Sequence, residues 1–193
     1  TQIRSSAASD VYKRQSVATI TAAIRNKVKR IVYCSSMARY GHHDNVPYKE
    51  DYECFPQDPY GIAKKAGEDV LINLCETHGV EYVIAVPHNI VGPRQKYDDP
   101  FRNVMSIMLN RMLQGKQPII YGDGEQKRCF SYIDDCLYCL NALAFQDNVV
   151  GEVINIGPDE EPITIMELAE ACANETGINL DPIHHKDLSL IHI

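Results

Sequence analysis

The 193-residue sequence predicts an α/β fold built on a parallel sheet, and three observations carry that expectation. Short apolar runs at 31–34, 81–87 and 151–157 have strand length. They alternate with segments whose apolar residues recur at helical spacing, the pattern of a parallel sheet with crossover helices. The first helix reaches its strand through a connection of two or three residues, which is normal for α/β units.

Taken in order, residues 16–27 place Val17, Ile20, Ala23 and Ile24 on one helical face before the strand at 31–34. A polar loop with Pro47 and Pro56 spans 37–58 and is expected to cover a crevice. Pro59 suits the first turn of a helix, and Ile62, Ala66, Val70 and Leu74 continue it at a helical period. Gly79 precedes the strand at 81–87, which ends at a proline, and 88–95 is a polar loop. Residues 101–114 are helical in pattern through Val104, Ile107, Met108 and Met112, with Gly115 as cap. A strand at 118–121 runs into a turn at 122–124. Another helix is expected within 131–145 through Leu137, Leu140 and Ala144, with Asp134 and Asp135 as helix-start charges. Thr164 and Glu167 have capping-box spacing at the start of a last helix.

Composition narrows the function classes. At 45% hydrophobic the chain can bury a core, and a formal charge of −7 with a pI near 5.5 argues against a nucleic-acid or anionic-membrane surface. A local basic pocket for a phosphate stays compatible with that balance. No apolar run approaches the ~20 residues that span a bilayer, so a soluble cytoplasmic protein is expected. Seven scattered cysteines read as reduced thiols, including Cys136 and Cys139, and the His184-His185 pair has no spaced partner for a metal.

The chemistry centres on Asp58-Pro59-Tyr60-Gly61-Ile62-Ala63-Lys64. Tyr60 and Lys64 are four residues apart and share a helix face. A free tyrosine has a pKa of about 10, so it becomes a base near neutrality only where a cation favours the phenolate. Ala63 and Gly67 are small and lie to one side, where a flat ligand would fit. A solvated Tyr/Lys pair would give the same spacing. Upstream, Ser35 and Ser36 end the strand at 31–34, and ligands of open α/β sheets bind beyond the carboxyl ends of strands. Arg39 has two available partners, an acid group on a substrate or the nearby Glu50 and Asp51, and the structural pair is the expectation.

Ser36, Tyr60 and Lys64, in that order, resemble the catalytic set of the extended short-chain dehydrogenase/reductase family, in its nucleotide-sugar epimerase and dehydratase branch. The resemblance runs over 16–187. It implies a partial Rossmann-type doubly wound sheet with a smaller α/β substrate-binding part, the NAD half and the substrate half interleaved. It also implies NAD held by Ser35, Tyr60, Lys64 and Pro87, and a nucleoside-diphosphate sugar met by Ser36, Asn89, Asn103 and Arg128. Without the resemblance, Asn89 reads as an Asx-turn residue and Arg128 equally as a surface arginine. The helix carrying Tyr60 resembles one that pairs subunits, which implies a possible homodimer.

Three related chemistries differ at Ser36-Met37-Ala38. Family members that dehydrate hexoses carry an Asp-Glu pair where Met37 and Ala38 stand, and those that decarboxylate sugar acids usually keep a glutamate at Ala38. The expectation is therefore a 4-epimerase of a UDP-hexose or UDP-hexuronate. The family's Gly-rich NAD turn has no match before Ser16, so the chain alone is expected to bind NAD weakly or not at all. A non-catalytic remnant that binds a nucleotide sugar, or acts as a scaffold, is the alternative. Residues 1–15 and 188–193 show neither strand nor helix periodicity and resemble translated adapter sequence. They are expected to be foreign flanks of a protein that begins before Ser16 and continues past Asp187.

Overall fold

The computed structural model describes residues 2–43, 47–97 and 103–186, with 2–13 described by backbone alone. In chain order the elements are α1 (Gln2–Arg25), β1 (Arg30–Cys34), α2 (Pro59–His78), β2 (Glu81–Pro87), β3 (Ile90–Val91), α3 (Val104–Leu113), β4 (Ile119–Tyr121), β5 (Lys127–Arg128), β6 (Ser131–Tyr132), α4 (Ile133–Phe145), β7 (Val153–Ile156), β8 (Ile163–Thr164), α5 (Ile165–Thr176) and β9 (Ile183–His185). Short 3-10 turns occupy Met37–Arg39 and Asp147–Val149. The chain divides into two units: Thr1–His88 with Asp135–Ile156, and Asn89–Asp134 with Gly157–Ile193.

The first unit is built on a parallel sheet of order β1-β2-β7, in which Arg30 pairs with Glu81, Cys34 with Ala85 and Pro87 with Ile156. Val83, Ile84, Ala85 and Val86 are completely buried, as a central strand covered on both faces must be. α1 packs on α2, and Ile20 joins Leu71, Cys75, Ile84 and Val86 in the core.

Three sequence expectations change here. Residues 1–15 show no helix periodicity in the sequence, yet α1 begins at Gln2. Ala, Gln, Lys and Arg favour a helix without forming an apolar stripe, so a periodicity argument misses them. In α2 the buried residues are Gly61, Ala63, Gly67, Glu68, Leu71 and Cys75, whereas Ile62 is 46% exposed and Ala66, Val70 and Leu74 are only partly buried. Three small residues, Gly61, Ala63 and Gly67, and one charged residue on the inner face disguise it in the sequence. A similar rotation occurs in α4, where Cys136 and Leu143 are buried and Leu137 is exposed.

α2 is bounded as the sequence implies. Asp58 is its N-cap, with Oδ1 accepting from the Gly61 N–H at 2.7 Å, Pro59 occupies the first turn, and Gly79 ends it at φ 67°. The loop before α2 is fastened to β7 by Asn155. Its Oδ1 accepts from the Tyr40 hydroxyl, its Nδ2 donates to the Tyr48 carbonyl and its N–H donates to Glu50, each at 2.9 Å.

The second unit has three two-stranded pairings, β3-β6 and β4-β9 parallel and β5-β8 antiparallel. α3 packs on α5 around Met108, Met112, Ile120, Leu168, Ala169 and Cys172. Thr164 and Glu167 close the expected capping box. Among the described residues, no helix is long and apolar enough to cross a membrane, and no group of three His, Cys, Asp or Glu side chains is arranged to hold a metal ion.

The start of α2 decides where Tyr60 lies, and its cap is testable. Asp58→Ala removes the acceptor for the Gly61 N–H and is expected to cost about 1 kcal/mol in urea unfolding.

Candidate active site

β1 delivers its last carbonyl and then two serines to one end of the sheet. The Ser35 N–H donates to the Ala85 carbonyl at 2.7 Å, continuing the ladder with β2. Ser36 turns the chain in extended geometry (φ −156°, ψ 150°) and caps the Met37–Arg39 turn, its Oγ accepting from the Ala38 N–H at 3.3 Å. Lys64 reaches this strand end from α2 and donates from Nζ to the Cys34 carbonyl at 2.9 Å. The same Nζ lies 5.8 Å from the centre of the Tyr60 ring and 5.6 Å from that of Tyr33. The structure therefore brings the Ser36 turn, Lys64 and Tyr60 to the carboxyl end of β1, with Tyr60 41% exposed.

The environment acts on Lys64 in a definite direction. Burial pushes its ammonium below the ordinary lysine value, and the neighbouring Cys34 and Glu68 oppose that fall. A cation between two phenol rings, anchored on a backbone carbonyl, gains from their negative faces.

Close approach of α2 to β1 depends on two glycines. A Cβ on Gly61 would stand 2.6 Å from the Ala38 carbonyl oxygen, and one on Gly67 would stand 2.1 Å from the Tyr33 hydroxyl. This corrects the expectation that Ala63 and Gly67 leave a flat surface for a ligand. Ala63 is buried, and Tyr33 fills the space beside Gly67.

Behind these residues lies a buried polar cluster. Glu68, one turn beyond Lys64, accepts from the Ser35 hydroxyl and pairs with Arg39, whose Nη2 lies 3.0 Å from Oε2. Arg39 thus pairs with neither Glu50 nor Asp51, because its turn aims it at the inner face of α2. The sequence signal was a third member of the stripe, Tyr60, Lys64 and Glu68, each four residues apart.

In the second unit the expected substrate residues have structural work of their own. Asn89 adopts φ 37°, with its Nδ2 donating to the Cys129 carbonyl at 3.0 Å. Asn103 caps α3 by accepting from the Met105 N–H at 3.0 Å, and its Nδ2 donates to the Ile90 carbonyl at 3.4 Å. Arg128 is exposed on β5, and its guanidinium donates to the Lys127 carbonyl at 2.8 Å and to Gln126 at 3.4 Å. Pro87 ends β2 opposite Ile156.

The backbone contact at Gly61 makes a direct test of this packing. Gly61→Ala cannot be accommodated by a rotamer change, so a loss of about 1–3 kcal/mol in urea unfolding is expected.

Comparison with known proteins places this arrangement. The sequence profile named Epimerase, for the NAD dependent epimerase/dehydratase family, matches residues 6–157. The UDP-N-acetylglucosamine 4-epimerase of Methanobrevibacter ruminantium M1, solved in complex with UDP-N-acetylmuramic acid, is 31% identical with a TM-score of 0.84. That alignment covers 90% of this chain and 55% of that one. The UDP-glucose 4-epimerase of Thermotoga maritima, solved with UDP-glucose, is 31% identical with a TM-score of 0.82, over 91% of this chain and 56% of that one. A UDP-N-acetyl-alpha-D-glucosaminuronate decarboxylase of Bacillus cytotoxicus is 29% identical over 180 residues, 90% of this chain and 52% of that protein. The chain spans about half the length of the relatives it matches.

Proposed function

Because the chain belongs to the NAD dependent epimerase/dehydratase family, we propose that the whole protein inverts the C4 hydroxyl of a nucleoside-diphosphate sugar, a UDP-hexose or UDP-hexuronate. The donor set suits the family's cofactor: an ammonium and a phenol on one helix face, at the carboxyl end of a parallel strand, match the hydroxyls of a ribose. Tyr60, Lys64, Ser35 and Pro87 would hold it. NAD, when bound, supplies a reversible hydride acceptor at the sugar's C4.

The chain's own residues manage the proton. Tyr60 as phenolate takes the proton from the sugar O4, and the positive charge of Lys64 favours that phenolate. Ser36, held by its own turn, steadies or passes the same proton. The Cys34 carbonyl keeps the Lys64 ammonium oriented at the strand end. After the 4-keto sugar turns over, Tyr60 returns the proton to O4. Asn89 and Arg128 are assigned to the sugar diphosphate and Asn103 to the nucleotide end of the substrate, and a guanidinium fork suits a diphosphate better than a point charge.

The observation that carries the choice of 4-epimerase is the pair Met37 and Ala38. Met37 packs against the apolar core, the Ala38 N–H is engaged by Ser36, and neither side chain can move a proton. Related 4,6-dehydratases carry an Asp-Glu pair at these positions, and related decarboxylases usually keep a glutamate where Ala38 stands. The same reading places the protein in the cytoplasm, whose reducing conditions suit seven free thiols. It also allows a homodimer through α2, whose flank exposes Ile62.

The test supplies the whole protein with UDP-glucose, UDP-N-acetylglucosamine and UDP-glucuronate in turn. Inversion of at least one is expected, and inversion of none would sink the proposal. Tyr60→Phe should lower kcat by 10²-fold or more, on the order of a lost general base, while NAD is still recovered from the denatured protein. Nucleotide-sugar binding that depends on Arg128, without turnover by the unaltered protein, would instead identify a binding protein.

A pH profile reads Lys64. Its ammonium is the active form and burial lowers its pKa, so kcat should fall on the alkaline side at a pH below the ordinary lysine value of 10.5. Lys64→Arg should remove that fall from the accessible range, and an unchanged limb would exclude Lys64 as its origin.

A further inference from the structure

Arg39 and Glu68 form an ion pair that stability alone does not explain. Their side chains are 7% and 1% exposed. Nη2 of Arg39 meets Glu68 Oε2 at 3.0 Å, the guanidinium carbon lies 5.0 Å from the centre of the Tyr40 ring, and Ser35 donates to the other carboxylate oxygen. Among the described residues Nε and Nη1 of Arg39 are buried with no hydrogen-bond partner. Orphaned donors and two desolvated charges are costly, and an apolar pair of similar volume is often as stable or more so. A role in positioning accounts for keeping the charges.

The geometry gives that role. Arg39 closes the turn that Ser36 caps, its N–H donating to the Ser36 carbonyl at 3.0 Å, while its side chain is tied to α2 through Glu68. Glu68 is one helical turn from Lys64 and two from Tyr60. We propose that Arg39 is a positioning residue of the reaction: acting through Glu68, it locks the Ser36 turn to the helix bearing Tyr60 and Lys64, and balances the carboxylate behind them. The proposal rests on the 4-epimerase reading above.

Every charged group around Glu68 bears on the balance. Arg39 comes from the Ser36 turn, Lys64, Lys65 and Asp69 from α2 itself, and the Tyr33 and Ser35 hydroxyls from β1 and the residue following it. Lys65 and Asp69 are bonded to each other and largely cancel, which leaves Arg39 as the nearest balancing cation apart from Lys64. Burial pushes the Glu68 carboxyl up, and the Ser35 hydrogen bond and the Arg39 charge hold it down. Removing Arg39 exposes Tyr60 to a carboxylate whose charge is no longer matched. That opposes the phenolate, so the acid limb of activity moves to higher pH. Eight residues along a helix is about 12 Å, and a unit charge at that distance with an effective dielectric near 20 shifts a titration by about one pH unit.

The experiment measures kcat against pH for the whole protein and its variants on the sugar nucleotide it inverts. Arg39→Met should move the acid limb up by about one unit, and Glu68→Gln in the same background should move it back. Arg39→Lys should restore the position of the limb. Should Arg39→Met fail to fold, Glu68→Gln alone decides, because an unmatched cation must move the limb to lower pH. A lower rate with unmoved limbs in these variants overturns the proposal while leaving the 4-epimerase reading intact. An unaltered protein that inverts no sugar nucleotide removes that reading and this proposal with it.

Discussion

The attachment of α2 to the end of β1 is the constraint on which the first unit depends. Three polar tethers make it: Lys64 on the Cys34 carbonyl, Ser35 on Glu68, and Arg39 on Glu68. Each joins the strand end or the turn beyond it to one stripe of the helix, and Gly61 and Gly67 let the two approach closely enough for all three. Apolar burial at Leu71 and Cys75 holds the far half of α2 to the sheet, but that force is non-directional. The polar tethers set how the near half, with Tyr60, is rotated.

The arrangement uses charge economically. Lys64 is half-buried and would shed its proton more readily than a surface lysine, yet the proposed reaction needs it as a cation. Glu68 opposes that tendency from one turn away, and its own carboxyl, pushed up by burial, is held down by the Ser35 hydrogen bond and the Arg39 charge. The order of support runs from Arg39 in the turn to Glu68, Lys64 and Tyr60 on one face of α2, with charge alternating along it. Such a chain transmits a change at its buried end to the exposed phenol without moving the backbone.

The sequence disclosed the elements better than their rotation. The strands at 31–34 and 81–87, the Asp58-Pro59 start of α2 and the Thr164/Glu167 capping box all depend on local chemistry, and all are present. The inner face of α2 was hidden because Gly61, Gly67 and Glu68 do not look like core residues. They are inside only because Ala38, Tyr33 and Arg39 are there to meet them, and those contacts cross from β1 and its turn to the helix. The Tyr60/Lys64 pair was readable as an i, i+4 spacing, and the Cys34 carbonyl was not, since a backbone acceptor leaves no trace in residue identity. α1 extends to Gln2 for the converse reason: helix formers without an apolar face produce a helix but no pattern.

The second unit shows how a residue's structural duty limits its chemistry. Asn89 and Asn103 each donate a side-chain amide to a backbone carbonyl, and Asn103 also caps α3, so both are oriented before any ligand arrives. An oriented amide loses little freedom on binding, which favours affinity through lower ordering cost. Arg128 stands differently, on a two-residue exposed strand with its guanidinium bonded to neighbours one and two residues away. In the proposed diphosphate role those local bonds would be exchanged and the long side chain ordered on binding. Under the proposed assignment, Arg128 is the residue of the three whose contribution would depend most on ionic strength, since an exposed charge is screened over about 8–10 Å at physiological salt, while the amides are neutral.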